Sequence, residues 1–105
     1  MSLEDIKKNM PSIKQIEDLS NLFKVLGDST RSKILYTLED QELNVTEICE
    51  CVGMQKSAVS HQLRILRDAK LVKARKDGKE VYYSFDDDHI STIFKYGLEH
   101  ISEDK

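Results

Sequence analysis

The residues from Asp86 to Glu103 limit what this chain can become more than any other stretch. Ile90, Ile93, Phe94, Leu98 and Ile101 recur at i, i+3, i+4 spacing, which predicts one amphipathic helix with a buried stripe. The run Asp86-Asp87-Asp88 supplies an N-cap and negative charge at the positive end of the helix dipole. Such a helix accounts for the apolar residues. It does not account for the metal ligands at both ends, Asp87 and His89 at the start and His100 and Glu103 at the finish.

His100 and Glu103 share one face, a turn apart. His89 and His100 are eleven residues apart, roughly 16 Å along the axis and close to three full turns. Zinc–nitrogen bonds are about 2.0–2.1 Å, so the two histidines of one chain cannot share an ion. An antiparallel copy of the helix removes the obstacle. Asp87 and His89 of one chain then meet His100 and Glu103 of the other, twice in a two-fold dimer. The resulting N2O2 set suits Zn2+ or Co2+ in tetrahedral geometry. The plain alternative is a solvated helix face whose acids serve the dipole alone.

A chain of 105 residues is one small domain, 1–105, helped by burying more surface in a dimer. Its composition, 39% apolar and 33% charged, is that of a soluble globular protein. The absence of an apolar run long enough for a membrane span, and of a signal peptide, leads us to expect a cytoplasmic protein that does not engage membranes. Two cysteines, Cys49 and Cys51, cannot form a disulfide framework. The net charge of −3 conceals a basic segment: residues 56–80 hold eight basic residues against three acids. Such a segment in an acidic chain suggests a local surface for a polyanion, against the plainer reading of a solvated face.

Residues 1–10 read as a flexible or loosely helical arm. Pro11 suits the first turn of a helix that carries Ile13, Ile16, Leu19, Leu22, Phe23 and Leu26 and ends at Gly27. Asp28 or Ser29 then caps a helix with Ile34, Leu35 and Leu38, and Glu39–Leu43 is a polar connection. Over 45–68, Thr46 caps or opens a short helix that stops at Gly53, and a second helix follows. Val59, Leu63 and Leu66 form its inner stripe, with Ser57, Ser60, His61 and Arg64 on the other side. This is a helix-turn-helix pattern. Over 71–85, β-prone runs flank Asp77-Gly78, a hairpin signal with a basic tip that makes a wing. The expected fold is mainly α with a β-hairpin wing, a winged helix-turn-helix homodimer, closed by a dimerisation and metal-binding helix over 87–102.

Leu26-Gly27-Asp28-Ser29-Thr30-Arg31-Ser32-Lys33-Ile34-Leu35 resembles the "LGDPTR..IL" signature of the ArsR/SmtB family of metal-responsive repressors, with Ser29 where proline is usual. Ser57-Ala58-Val59-Ser60-His61-Gln62-Leu63, with Leu66 and Leu71-Val72, resembles the family's recognition helix, and Gly78 with Val81-Tyr82-Tyr83 its wing. The resemblance spans about residues 13–103. Asp87-x-His89 and His100-x-x-Glu103 match the pattern of the zinc- and cobalt-sensing branch on the last helix. The soft-metal branch carries cysteines in a "CVC" motif at the start of the helix-turn-helix. Asn44-Val45-Thr46 stands there instead, and the N-terminal arm has neither Cys nor His, which argues against soft-metal sensing.

The resemblance implies a repressor that binds operator DNA without metal and dissociates when Zn2+ or Co2+ binds Asp87, His89, His100 and Glu103. It also implies a hydrogen bond from His100 back to the backbone near Lys70. Ser57, Ser60, His61 and Arg64 are expected at base edges, with Lys56, Arg75, Lys76 and Lys79 on phosphates. His61 has no ligand partner at i±3 or i±4, which favours a DNA contact over a metal bond. One rival is a repressor of the same fold that senses oxidants or sulfur species through Cys49 or Cys51. These lie about 200° apart around a helix and cannot face one ion, so we read them as buried or half-buried packing residues. The other rival is a zinc enzyme. A catalytic zinc keeps an open position for water, four protein ligands fill it, and neither a Gly-rich phosphate loop nor a nucleophile–base pair appears.

Overall fold

The computed structural model describes residues 1–103. In chain order the elements are α1 (Leu3–Lys8), α2 (Ile13–Leu26), α3 (Ser29–Thr37), β1 (Leu43–Asn44), α4 (Val45–Val52), α5 (Lys56–Asp68), β2 (Val72–Asp77), β3 (Glu80–Phe85) and α6 (Asp88–Ser102). The core lies where α3, α4 and α5 close on the hairpin. Ile34, Leu35, Leu38, Ile48, Val59, Leu63, Leu66, Leu71, Val72 and Phe85 fill it, and none is more than 9% exposed. At about 1.5–3 kcal/mol for each fully buried large side chain, this cluster is the main source of the domain's cohesion.

Local chemistry sets the boundaries. Ser2, Ser12 and Asn44 each close a capping box at the start of α1, α2 and α4. Pro11 therefore lies before the cap of α2, not in its first turn. Asn44, rather than Thr46, caps α4: Glu47 N–H donates to Asn44 Oδ1 and Asn44 N–H to Glu47 Oε1, both at 2.9 Å. Asp28 caps α3, accepting from Arg31 N–H at 3.0 Å. The α4–α5 turn depends on Gly53, whose φ of +69° is open to glycine at little cost. At the far end of α5, Leu71 N–H reaches Leu66 O and Lys70 N–H reaches Arg67 O, both at 2.9 Å. This is a Schellman closure in which Lys70, at φ +61°, occupies the place glycine usually takes.

The wing is part of a three-stranded antiparallel sheet of order β1-β3-β2. The connection expected over Glu39–Leu43 ends in a two-residue strand, with Leu43 opposite Tyr83 and Asn44 opposite Tyr82. In the hairpin Val72 pairs with Phe85 and Asp77 with Glu80, so the tip is Gly78-Lys79 rather than Asp77-Gly78.

The radius of gyration is 16.6 Å, against about 13 Å for a compact chain of this length. The excess comes from the flanks. Neither α2 nor α6 contains a fully buried residue. Of the expected buried stripe on α6, only Ile90 and Phe94 pack against the core, and Ile93, Leu98 and Ile101 are exposed.

Candidate nucleic-acid interface and metal-ligand sites

The inner stripe of α5 sinks Val59, Leu63 and Leu66 into the core. That rotation leaves Lys56, Ser57, Ser60, His61 and Arg64 exposed on the opposite side. Among the described residues none of these five side chains has an intramolecular hydrogen bond or ion pair. Gln55, the N-cap of α5, makes no side-chain capping bond, whereas caps on the other five helices do. The first N–H groups of α5 thus lack a side-chain acceptor at the end where Lys56 stands, an arrangement suited to phosphate oxygens.

Sequence reasoning missed what holds α5 in place. Arg31, in the helix after Gly27, donates from Nε to Val25 O at 2.8 Å and from one terminal nitrogen to Gln62 Oε1 at 3.3 Å. One guanidinium thereby ties the end of α2 to the recognition helix. This gives the Asp28–Arg31 motif a physical role: Asp28 starts α3 and Arg31 anchors α5.

On the wing, Lys76 and Lys79 are exposed and unpaired among the described residues. Arg75, expected beside them on phosphate, is also exposed but has partners within the chain. Its Nε and a terminal nitrogen bind both oxygens of Glu42 at 2.9–3.2 Å. Asp77 lies 3.7 Å away, and the guanidinium stacks over the Tyr82 ring at 5.2 Å. The hydrogen bond from Arg75 holds the Glu42 carboxyl below its usual range, and the same bond raises Arg75. Arg75 braces the wing against the residue before β1, and its other terminal nitrogen faces Asp77 on a half-exposed side chain.

The four proposed metal ligands form two separate pairs on α6. Asp87 is the N-cap, and its Oδ1 accepts from the N–H groups of His89 at 2.9 Å and Ile90 at 3.3 Å. Its Oδ2 lies 3.5 Å from His89 Nδ1. The Ile90 N–H, followed by the His89 contacts, pulls the Asp87 carboxyl below the ordinary carboxylate range despite partial desolvation. At the far end, His100 Nδ1 lies 3.7 Å from Glu103 Oε1. Each pair sets an imidazole beside a carboxylate in solvent. Among the described residues no three His, Cys, Asp or Glu side chains of one chain cluster closely enough for a metal ion. Within one chain His100 makes no hydrogen bond to the backbone near Lys70 among the described residues.

Cys49 is half-buried against the core, while Cys51, read as at least half-buried, is exposed. Cys51 lines a cleft of about 860 Å³ between α3, the end of α4 and α6. No helix among the described residues is long and apolar enough to cross a membrane.

A buried three-helix core, a recognition helix with an unengaged polar face and a basic hairpin beside it define a winged helix-turn-helix DNA-binding domain. Residues 28–74 match the model of the bacterial regulatory protein arsR family. The chain is 36% identical over 104 residues to a transcriptional repressor SmtB homolog of Synechocystis, covering 96% of this chain and 79% of the relative. It is also 36% identical over 101 residues to a cadmium resistance transcriptional regulatory protein CadC homolog of Staphylococcus aureus, covering 95% and 79%. A homodimeric winged helix-turn-helix DNA-binding domain from Mycobacterium bovis superposes with a TM-score of 0.80 at 25% identity, covering 90% of each chain. The chain belongs to the arsR family of bacterial transcriptional regulators, and its relatives are regulators rather than enzymes.

Proposed function

We propose that the protein is a metal-responsive repressor working as a homodimer. Two copies pair through the exposed apolar stripes of α2 and α6. The metal-free dimer binds a pseudo-palindromic operator through two α5 helices and two wings. Zn2+ or Co2+, held by Asp87 and His89 of one protomer and His100 and Glu103 of the other, favours release.

The observation that carries this reading is the pairing on α6: an exposed imidazole sits beside a carboxylate at each end of one helix, 3.5 and 3.7 Å apart. Two such pairs supply the two nitrogens and two oxygens that zinc takes in tetrahedral geometry. Bound metal would cross-link the start of one α6 to the finish of the other. Relatives named as a repressor and as a cadmium resistance regulator support metal regulation in general. By linkage, metal must bind the DNA-incompetent state better, and DNA must weaken metal binding by the same factor.

The test mixes two defective chains. One carries Asp87→Ala and His89→Ala, the other His100→Ala and Glu103→Ala. Neither homodimer should bind zinc tightly, and the mixed dimer should regain one intact site. No recovery on mixing would sink the shared site. The Co2+ form should show intense tetrahedral absorption bands; a weak octahedral spectrum counts against it. On the DNA side, Lys79→Ala should lower the salt dependence of binding by about one unit. Unchanged affinity and slope would take the wing tip off the backbone.

A further inference from the structure

We propose that the hydrogen bond between Ser91 and Glu39 is the contact through which the state of α6 reaches the recognition helix, with Ser91, Glu39 and Arg31 as positioning residues. This rests on the preceding reading, in which metal acts at α6 and DNA at α5. Ser91 lies in the first turn of α6, two residues after His89, and its Oγ donates to Glu39 Oε2 at 3.0 Å. Among the described residues no other side-chain hydrogen bond joins α6 to a different element. The remaining hold on α6 is apolar. Ile90 and Phe94 pack on the core, with the Phe94 ring 6.4 Å from that of Phe85. Apolar contact is non-directional, whereas a hydrogen bond fixes direction. Ser91–Glu39 therefore sets the rotation of α6 beside Asp87 and His89.

Glu39 is poised to respond to its partner. Its Oε1 is shut away from solvent and has no hydrogen-bond partner among the described residues. Withdrawing Ser91 would take the one donor that the described residues offer to a carboxylate already short of another, which is costly in a partly buried place. The consequence passes along α3. Glu39 N–H donates to Tyr36 O at 3.2 Å, and Ile34 and Leu35 are 0% exposed, so the helix and the turn that closes it move together. At the other end of α3 stands Arg31, bonded to Gln62 on α5 at 3.3 Å. Gln62 is the neighbour of His61 on the DNA-facing helix. Two side-chain bonds and one packed helix thus form a continuous path from the first metal-ligand pair to the recognition helix, the kind of connection that needs a direct coupling measurement.

The experiment uses the full-length protein, zinc chloride, and duplex DNA selected from a random-sequence pool with the metal-free wild type. The readout is the ratio of DNA dissociation constants with and without zinc. Ser91→Ala should lose about two- to thirtyfold of that ratio. Its zinc affinity without DNA, measured by chelator competition, should stay within about twofold of wild type. Ser91→Thr keeps a hydroxyl and should restore the ratio. On a Glu39→Ala background, Ser91→Ala should cost nothing further, because the shared bond is already gone. A wild-type ratio in Ser91→Ala, a parallel loss of zinc affinity, or full additivity with Glu39→Ala overturns the proposal. Zinc without effect on the wild type would instead defeat the repressor reading. Amide exchange of the metal-free protein then decides the relay: Ser91→Ala should speed exchange around Gln62 and Ser91→Thr should not, and equal rates there overturn it.

Discussion

Leu63 on α5 is 1% exposed and Ile101 on α6 is 75% exposed, although each belongs to an apolar stripe of helical period. Ile13 at the start of α2, at 82%, stands with Ile101. The contrast separates two kinds of region. Around Leu63, three helices and a hairpin complete one another within a single chain. On α2 and α6 the same pattern faces outward. Periodicity announces that a face will be buried. It does not say by which chain.

The contrast can be broken by mutation. Leu63→Ala should have the largest effect, destabilising the fold by about 2–5 kcal/mol in denaturant titration. A cost below about 1 kcal/mol would mean that the α5 core is looser than it is drawn here. Ile101→Asp or Phe23→Asp should leave the helical content of the chain nearly unchanged while shifting sedimentation toward monomer. Dimers that survive both substitutions would place the interface elsewhere. Lys70→Gly should sharpen the comparison from the opposite side. It relieves a left-handed residue at the end of α5, and a gain of about 1 kcal/mol is expected. Loss of stability there would show that the Lys70 side chain does more than its backbone conformation costs.

The smallest expected effect concerns Asp87. Its carboxyl titrates lower in the folded protein than in the unfolded chain, chiefly through the Ile90 N–H. Its contribution is therefore fully present above the ordinary carboxylate range and is lost as pH falls through the depressed folded value. Thermal melts of wild type and Asp87→Ala, taken from neutral to strongly acidic pH, should differ at neutral pH and converge at the acidic end. A constant difference would assign the effect to something other than ionised Asp87.

Much of the domain was legible because its signals are local. Val59, Leu63 and Leu66 fixed the face of α5, and Gly53 and Gly78 marked turns that the backbone does make at positive φ. The two histidine–carboxylate pairs at the ends of α6 were legible as pairs, since i+2 and i+3 spacings are set by the local chain itself. The misses came where a residue's role depends on a distant partner. Leu43-Asn44 is too short to read as a strand until Tyr82 and Tyr83 lie beside it. Arg75 resembles its lysine neighbours in sequence, and its pairing with Glu42, thirty-three positions away, does not show there. Arg31 and Gln62 are thirty-one residues apart and announce nothing about each other. The apolar residues of α6 were read as a buried stripe, and the chain alone covers only part of it.

Asn44 has a consequence for how such a protein measures DNA. Its backbone is the last rung of β1, opposite Tyr82, and its side chain starts α4. A slip of one rung would therefore carry the start of α4 along the hairpin with it. Hairpin and helix-turn-helix are thus geared to each other through one residue. Wing and helix-turn-helix would then approach one stretch of DNA as a unit whose internal spacing is set at Asn44.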